Sequence, residues 1–477
     1  MVASLYPLNF MKSSKSPATY STNSKPFYAL LSVDSDPSLK IGKQGACGKN
    51  IYVRELGIAL AKRGCQVDIF TRTEDSKQEE ILELTPGCNV IRLTAGPKKF
   101  ITKNDVFEYL PKFVEAWLDF QQRTGRKYAL IHTNYWLSGW VGLQLKHRLR
   151  LPQVHTYHSI GAVKYRNVEN PPKIAVIRHG VELACLEQAD CVITTSPQQA
   201  EDLRELISQH GRIQVIPFGI NTDRFSMVTQ ELARQQLEIP PDIRIILYVG
   251  CFDANEGIET LVKACTKLPQ PYKLYLVVSS LESVVDCQEQ QRIRALVNQL
   301  GLEEVTLFIG DCSHEQLPAY YAAANVCVVP THYETNGLVA IEAMASGTPV
   351  IASDVGELQH TVVHGTTGLL VPPGDSDTLA LTIWNVFENP EIWKSYGTSG
   401  RSWVQSYFSC QAVASQVHKL YQSLTFSTVV QELITSKNFA SNLENYIHKL
   451  LESRALNSHE IDDLEQLVES LSEGLIT

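Results

Sequence analysis

The chain has no excess of positive charge. Its 42 Lys and Arg are outnumbered by 51 Asp and Glu, a formal net charge of -9 over 477 residues. That removes the broad electrostatic attraction on which nucleic-acid and anionic-membrane binders rely, so no nucleic-acid partner is expected. There is no C-x-x-C pair. The 11 cysteines are scattered, and several, such as Cys191 and Cys327, lie in apolar runs where a thiol behaves as a small hydrophobe. Such a set argues against a disulfide or zinc framework and for a reducing, cytoplasmic setting. No apolar run approaches the roughly 18 residues of a membrane-crossing helix. The first 25 residues contain no signal-like apolar core, are rich in Ser, Lys, Thr and Pro, and read as a disordered lead.

What the chain does have is core. With 44% hydrophobic and 19% charged residues it can form two large domains or about three ordinary ones. The most informative stretch is VVPTHYETNGLVAIEAMASGTPVIASD, Val328 to Asp354. The apolar run ending at Val329 reads as a buried strand closed by Pro330. A polar loop to Asn336 follows, then a short helix from Gly337 to Ala345 and a strand at Val350-Ile351-Ala352. In such a βαβ unit the helix N-terminus faces a cleft at the carboxyl edge of a parallel sheet. Its unpaired N–H groups there suit a diphosphate. Glu334 and Glu342 flank the helix start with seven residues between them. A carboxylate accepts two hydrogen bonds from a vicinal diol, although two acids at this spacing could equally be a solvated surface.

The string HYE-x-x-GLVAIEAMASGTPV resembles the retaining glycosyltransferases of family 4. The resemblance implies an α/β protein of the GT-B fold, two Rossmann-like domains facing a cleft, here with a C-terminal helical appendage. It implies that Glu334 holds hydroxyls of the donor sugar, that Glu342 holds the ribose, and that the Asn336-Gly337-Leu338 backbone lies against the pyrophosphate. No cofactor or metal is implied; a nucleoside-diphosphate sugar, a UDP- or GDP-hexose, is the substrate. The acceptor is a sugar or sugar phosphate, because the block Thr133 to Trp140 resembles the sucrose-phosphate synthase, sucrose synthase and mycothiol glycosyltransferase branch.

In order, residues 1–25 are the lead, 26–225 a Rossmann-like acceptor domain, 226–405 a Rossmann-like nucleotide-sugar domain, 406–425 a crossing helix and 426–477 the appendage. In the first domain a strand at Phe27–Val33 leads through a loop with Gly42, Gly45 and Gly48 into a helix from Asn50 to Arg63. Gly48 is expected to approach the donor, although lone glycines also make plain turns. The family's Gly-Gly pair has become Cys47-Gly48 here, and Asp34 stands where related enzymes show a His. A helix is expected from about Asp105 to Arg123. His158 follows the strand Gln153 to Tyr157 and matches a family His that touches the donor sugar; taken alone, a His after a strand is more often structural. Lys103, Tyr135 and Arg178 fall where phosphate-acceptor members keep phosphate contacts, although each could simply be solvated or packed. Gly219, in the segment joining the two domains, is expected to permit a left-handed bend.

One departure bears on activity. After the strand ending at Gly250, itself a donor-binding position by resemblance, the family's G-R-F-D-x-x-K-G reads Gly250-Cys251-Phe252-Asp253-Ala254-Asn255-Glu256-Gly257. The Arg and Lys that clamp the diphosphate have become Cys251 and Glu256. Lys43 or Lys49 could stand in for them on closure. Two readings follow: an impaired hexosyltransferase, or a catalytically inactive relative that senses a nucleotide or sugar or regulates an active homologue. In the second case the acidic, helically patterned 426–477 offers a surface for a protein partner or self-association.

Overall fold

The computed structural model describes residues 26–39 and 48–434, apart from 167, 169, 279–283, 311, 314 and 335. The lead, Cys47 with its glycine loop, Lys43 and the appendage beyond 434 lie outside the described residues.

Two parallel sheets organise the chain. The first contains β1 (Phe27–Leu31), β2 (Gln66–Arg72), β3 (Ile81–Thr85), β4 (Cys88–Leu93), β5 (Leu130–Asn134), β6 (Gln153–Thr156), β7 (Cys191–Thr194) and β8 (Ile213–Val215). Their spatial order is β3-β4-β2-β1-β5-β6-β7-β8. The second contains β9 (Arg244–Gly250), β10 (Tyr272–Val278), β11 (Thr306–Ile309), β12 (Val326–Val329), β13 (Val350–Ser353) and β14 (Gly368–Val371), ordered β11-β10-β9-β12-β13-β14. Strands such as VCVV at β12 are apolar throughout because helices cover both faces of each sheet. In each sheet the winding reverses once, between β1 and β5 in the first and between β9 and β12 in the second. Crevices open at such switch points, beyond the carboxyl ends of the strands. The segments after those four strands carry most of the candidate residues; Lys103, His158 and Arg178 lie elsewhere, after β4 and β6.

The helix Cys410–Ile434 returns to the first sheet. Val413, Ala414, Val417, Leu420 and Tyr421 join the core around β1 and β5, and the Tyr421 ring lies 4.7 Å from that of Tyr28. Ile220 N–H donates to Phe408 O at 2.8 Å and Ile220 O accepts from Cys410 N–H at 3.0 Å, fastening the joining segment to the start of this helix.

Three expectations are corrected. Gly219 is not in the left-handed region. It is needed for close packing, since a Cβ there would meet Cys410 Cα at 3.1 Å. The helix expected from Asp105 to Arg123 is broken into Lys103–Val106, a 3-10 turn at Phe107–Tyr109, and Leu110–Thr124. Pro111 lacks an N–H and starts a new helix instead of continuing an old one. The antiparallel edge strand β3, sequence ILELT, was not expected from its weak pattern.

Candidate donor and acceptor site

On the second sheet, the loop after β12 turns back on itself through Glu334. The Glu334 Oε1 accepts from the backbone N–H of Asn336 at 2.9 Å and of Gly337 at 3.1 Å. Its carboxylate therefore ties the loop just before the helix Leu338–Ala345, near the helix end where an anion is favoured. Gly337 is left-handed, with φ 63°, and a Cβ there would meet Thr361 Oγ1 at 2.7 Å. This loop has room for glycine only. Along the helix Ala340, Ile341, Ala343 and Met344 are buried, while Glu342 is half-buried and accepts from Tyr321 Oη at 2.9 Å. Burial pushes the Glu342 acid up to about 7, against the opposing effects of Tyr321 and Arg224.

Cys251 and Glu256 face each other: the thiol donates to Glu256 Oε1 at 3.7 Å. Their loop is tied to the Glu334 loop by His332 N and Thr331 Oγ1, which donate to Asn255 O at 2.7 and 3.0 Å. Gly257 has φ 67°, and a Cβ there would lie 2.0 Å from Pro330 O. Glu256 is pushed up to about 7, first by burial and then by the charge of Glu334. A third acid completes this wall. Glu357 is buried, its backbone N–H donates to Glu334 O at 3.1 Å, and burial and Glu334 raise its acid to about 8. Ser196, just after β7, opposes that rise, so the carboxyl edges of the two sheets approach each other here. Gly250 is crowded by its own neighbour: a Cβ would meet Tyr248 Oη at 2.4 Å.

On the first sheet, His158 lies just beyond β6. Its Nε2 donates to Asn134 Oδ1 at 3.1 Å, and its ring meets those of Tyr52 and Phe218 at 5.2 and 5.8 Å. Burial, and then Lys49, hold the imidazole well below its usual pKa. It is therefore neutral with Nδ1 as an acceptor, and that atom is buried without a partner among the described residues. Gly48 opens the helix Gly48–Lys62 beyond β1.

Lys103, Tyr135 and Arg178, from three separate segments, converge. The Tyr135 ring has Lys103 Nζ at 5.6 Å, the Arg178 guanidinium at 5.1 Å and, beside them, Lys49 Nζ at 5.0 Å. Tyr135 itself has φ 73°, a strained conformation worth about 1–3 kcal/mol that persists only when surroundings enforce it. Arg178 is buried and donates to Tyr135 Oη at 3.3 Å, to Ser159 O at 2.8 Å, to Ser159 Oγ at 3.0 Å and to Glu182 Oε1 at 2.7 Å. Burial, with Arg178 and Lys103 nearby, lowers the Lys164 pKa. A ring bounded by this many cations is suited to a phosphate group.

Sequence reasoning missed Ser159, Lys164, Glu182 and Glu357; Lys49, which it offered beside Lys43 as a stand-in for the diphosphate clamp, lies over the Tyr135 ring. Only the Arg178–Glu182 pair left a signal, the four-residue spacing of two opposite charges on one helix. Among the described residues no group of three or more His, Cys, Asp or Glu could hold a metal ion, and no helix is long and apolar enough to cross a membrane.

Known proteins match this chain along most of its length. Residues 47–224 match the family described as Glycosyltransferase Family 4, and residues 229–403 match Glycosyl transferases group 1. A D-inositol 3-phosphate glycosyltransferase of Corynebacterium jeikeium (strain K411) is 33% identical over 405 residues, 83% of this chain and 96% of the relative. Among solved structures, a sucrose-phosphate synthase from Thermosynechococcus elongatus is 47% identical, with a TM-score of 0.71 over 84% of this chain and all of the other. Anabaena HepE in complex with UDP and glucose shares the fold at 19% identity and a TM-score of 0.62, over 83% of this chain and all of the other.

Proposed function

The chain belongs to the GT-B glycosyltransferases of family 4, and from that premise we propose that it binds a nucleoside-diphosphate hexose and transfers the hexose, with retention, to a sugar phosphate. The observation that carries the acceptor half is the Tyr135 ring bounded by Lys49, Lys103 and Arg178. Both similar proteins named for a phosphorylated compound fit that choice, a sucrose-phosphate synthase and an inositol 3-phosphate glycosyltransferase.

In this reading His158 Nδ1 and Glu334 hold hexose hydroxyls and Glu342 holds the ribose. The bond from the anomeric carbon to the diphosphate breaks, and a bond to the acceptor oxygen forms on the same face. The acceptor's proton passes to the departing diphosphate. Charge builds on that leaving group, and a preorganised donor there is worth about 100- to 1000-fold. Cys251 and Glu256 supply none. Losing two such groups takes a turnover of about 10 per second down to about 0.001 per second or less. We therefore propose slow transfer.

A second reading is favoured by the same Cys251–Glu256 contact: an inactive relative that binds nucleotide or sugar as a sensor or regulatory partner. Calorimetric titration with UDP-, GDP- and ADP-hexoses, beside a transfer assay with hexose phosphates, separates the two. Turnover above background supports the enzyme. Binding without turnover supports the sensor, and no binding sinks both.

A further inference from the structure

Several of the buried polar atoms without partners lie at the carboxyl edge of the first sheet. Among the described residues Asp34 Oδ2, Asn134 Nδ2 and His158 Nδ1 are sealed in and hydrogen-bonded to nothing. Asp34 and His158 follow β1 and β6 and Asn134 ends β5, three adjacent strands. Buried polar groups are nearly always satisfied, so a row of orphans marks where a ligand's polar groups belong. His158 and its partner Asn134 already have a role at the hexose. Asp34 has none.

The side chain of Asp34 is fully buried, and its other oxygen, Oδ1, accepts from Lys49 Nζ at 2.5 Å. That same ammonium lies over the Tyr135 ring, so a carboxylate with one free oxygen stands beside a cluster of cations. The Lys49–Asp34 and Arg178–Glu182 pairs are each neutral. Lys103 and Lys164, which form no ion pair among the described residues, leave about two positive charges, matched to a phosphomonoester carrying about -1.5 to -2. A bare phosphate at this cluster would face the Asp34 oxygen as like charge against like. A phosphate carried on a polyol would bring a hydroxyl to that oxygen and satisfy it.

We propose that Asp34 and Lys49 together read a phosphorylated polyol, Lys49 meeting the phosphate and Asp34 Oδ2 accepting a hydrogen bond from a hydroxyl of the same molecule. Asp34 is then a specificity-determining residue that selects a sugar phosphate over free phosphate and over the free sugar. This rests on the sugar-phosphate acceptor reading above and names the group that discriminates within it.

The test is calorimetric titration of the full chain with glucose 6-phosphate, fructose 6-phosphate, inorganic phosphate and the free hexoses. In Asp34→Ala, affinity for the hexose phosphate that binds best falls about 10- to 100-fold, the worth of a hydrogen bond to a charged group. Affinity for inorganic phosphate holds or rises. Asp34→Asn, which keeps an acceptor oxygen and guards against misfolding of the alanine variant, falls between. A residue that merely orients Lys49 would weaken both ligands in parallel, and parallel loss or no change overturns the proposal while leaving the acceptor reading intact. Should the wild-type chain bind none of the phosphates, the acceptor reading falls and this inference with it.

Discussion

The Cys251 thiol lies 3.7 Å from the Glu256 carboxylate, so the two positions where the family resemblance places a diphosphate-clamping Arg and Lys are engaged with each other. The contact puts a third carboxylate, besides Glu334 and Glu357, on the wall that a diphosphate would approach in the proposed donor mode. Cys251→Arg combined with Glu256→Lys restores two cations and removes one anion. The expected outcome is a rise of at least about 100-fold in UDP-hexose affinity or transfer rate, read by calorimetry and product formation. No gain would mean that the cleft does not use a nucleotide sugar in the family's manner.

Donor binding should weaken as pH rises. Burial, then Glu334 and Asp253, push the Glu256 acid up to about 7 against the Cys251 hydrogen bond. The group is therefore neutral below that pH and anionic above it, where it repels phosphate. Between pH 6 and pH 8 the affinity for UDP-glucose, whose diphosphate does not titrate there, is expected to fall. Glu256→Gln should flatten the slope without abolishing it, because Glu357, at about 8, titrates in the same window. A pH-independent wild-type affinity contradicts this.

His158 should show no titration in the physiological range. Its ring is held well below the usual imidazole pKa by burial and then by Lys49, so it stays neutral and keeps Nδ1 as an acceptor. Its ring proton resonances are expected to stay flat from about pH 6 to pH 8, near and above the ordinary value of about 6.5. Lys49→Met relieves part of the suppression and raises the pKa. His158→Ala is expected to lower transfer about 100-fold with little change in melting temperature.

Glu182 holds both Arg178 and the loop after His158, since its carboxylate accepts from Arg178 Nε at 2.7 Å and from Gly161 N at 2.9 and 3.1 Å. Removing one partner of a fully buried pair leaves an uncompensated charge and costs about 3–5 kcal/mol. Glu182→Ala should show that loss in denaturant unfolding, and phosphate affinity should fall as well. Replacing both, Arg178→Met with Glu182→Leu, should recover most of the stability but none of the phosphate binding. Stability that stays low in the double variant would show that the cost is packing and not charge.

The fold was legible because its signal is local and repeated. Apolar runs such as VCVV at β12 and RIILYVG at β9, each followed by a loop and a helix, fit burial on both faces of a parallel sheet with helices outside. Glu334, Glu342 and the clamp departures were readable for the same reason, since each sits at a set distance from a strand end. The break before Leu110 and the packing role of Gly219 were harder. The first depends on one proline competing with a strong helical pattern, and the second on a chain segment almost two hundred residues away.

What the sequence determined alone is the pair of doubly wound sheets, their carboxyl-edge loops, and a thiol and an acid where the resemblance expects two cations. What only the tertiary structure decided is which charges meet. Lys49, Lys103 and Arg178 come from separate segments and share one tyrosine ring, and Glu256, Glu334 and Glu357 share one wall. The physical reason is that secondary structure follows from neighbours along the chain, whereas electrostatic energy depends on distance through space. Closing the sheets sets that distance.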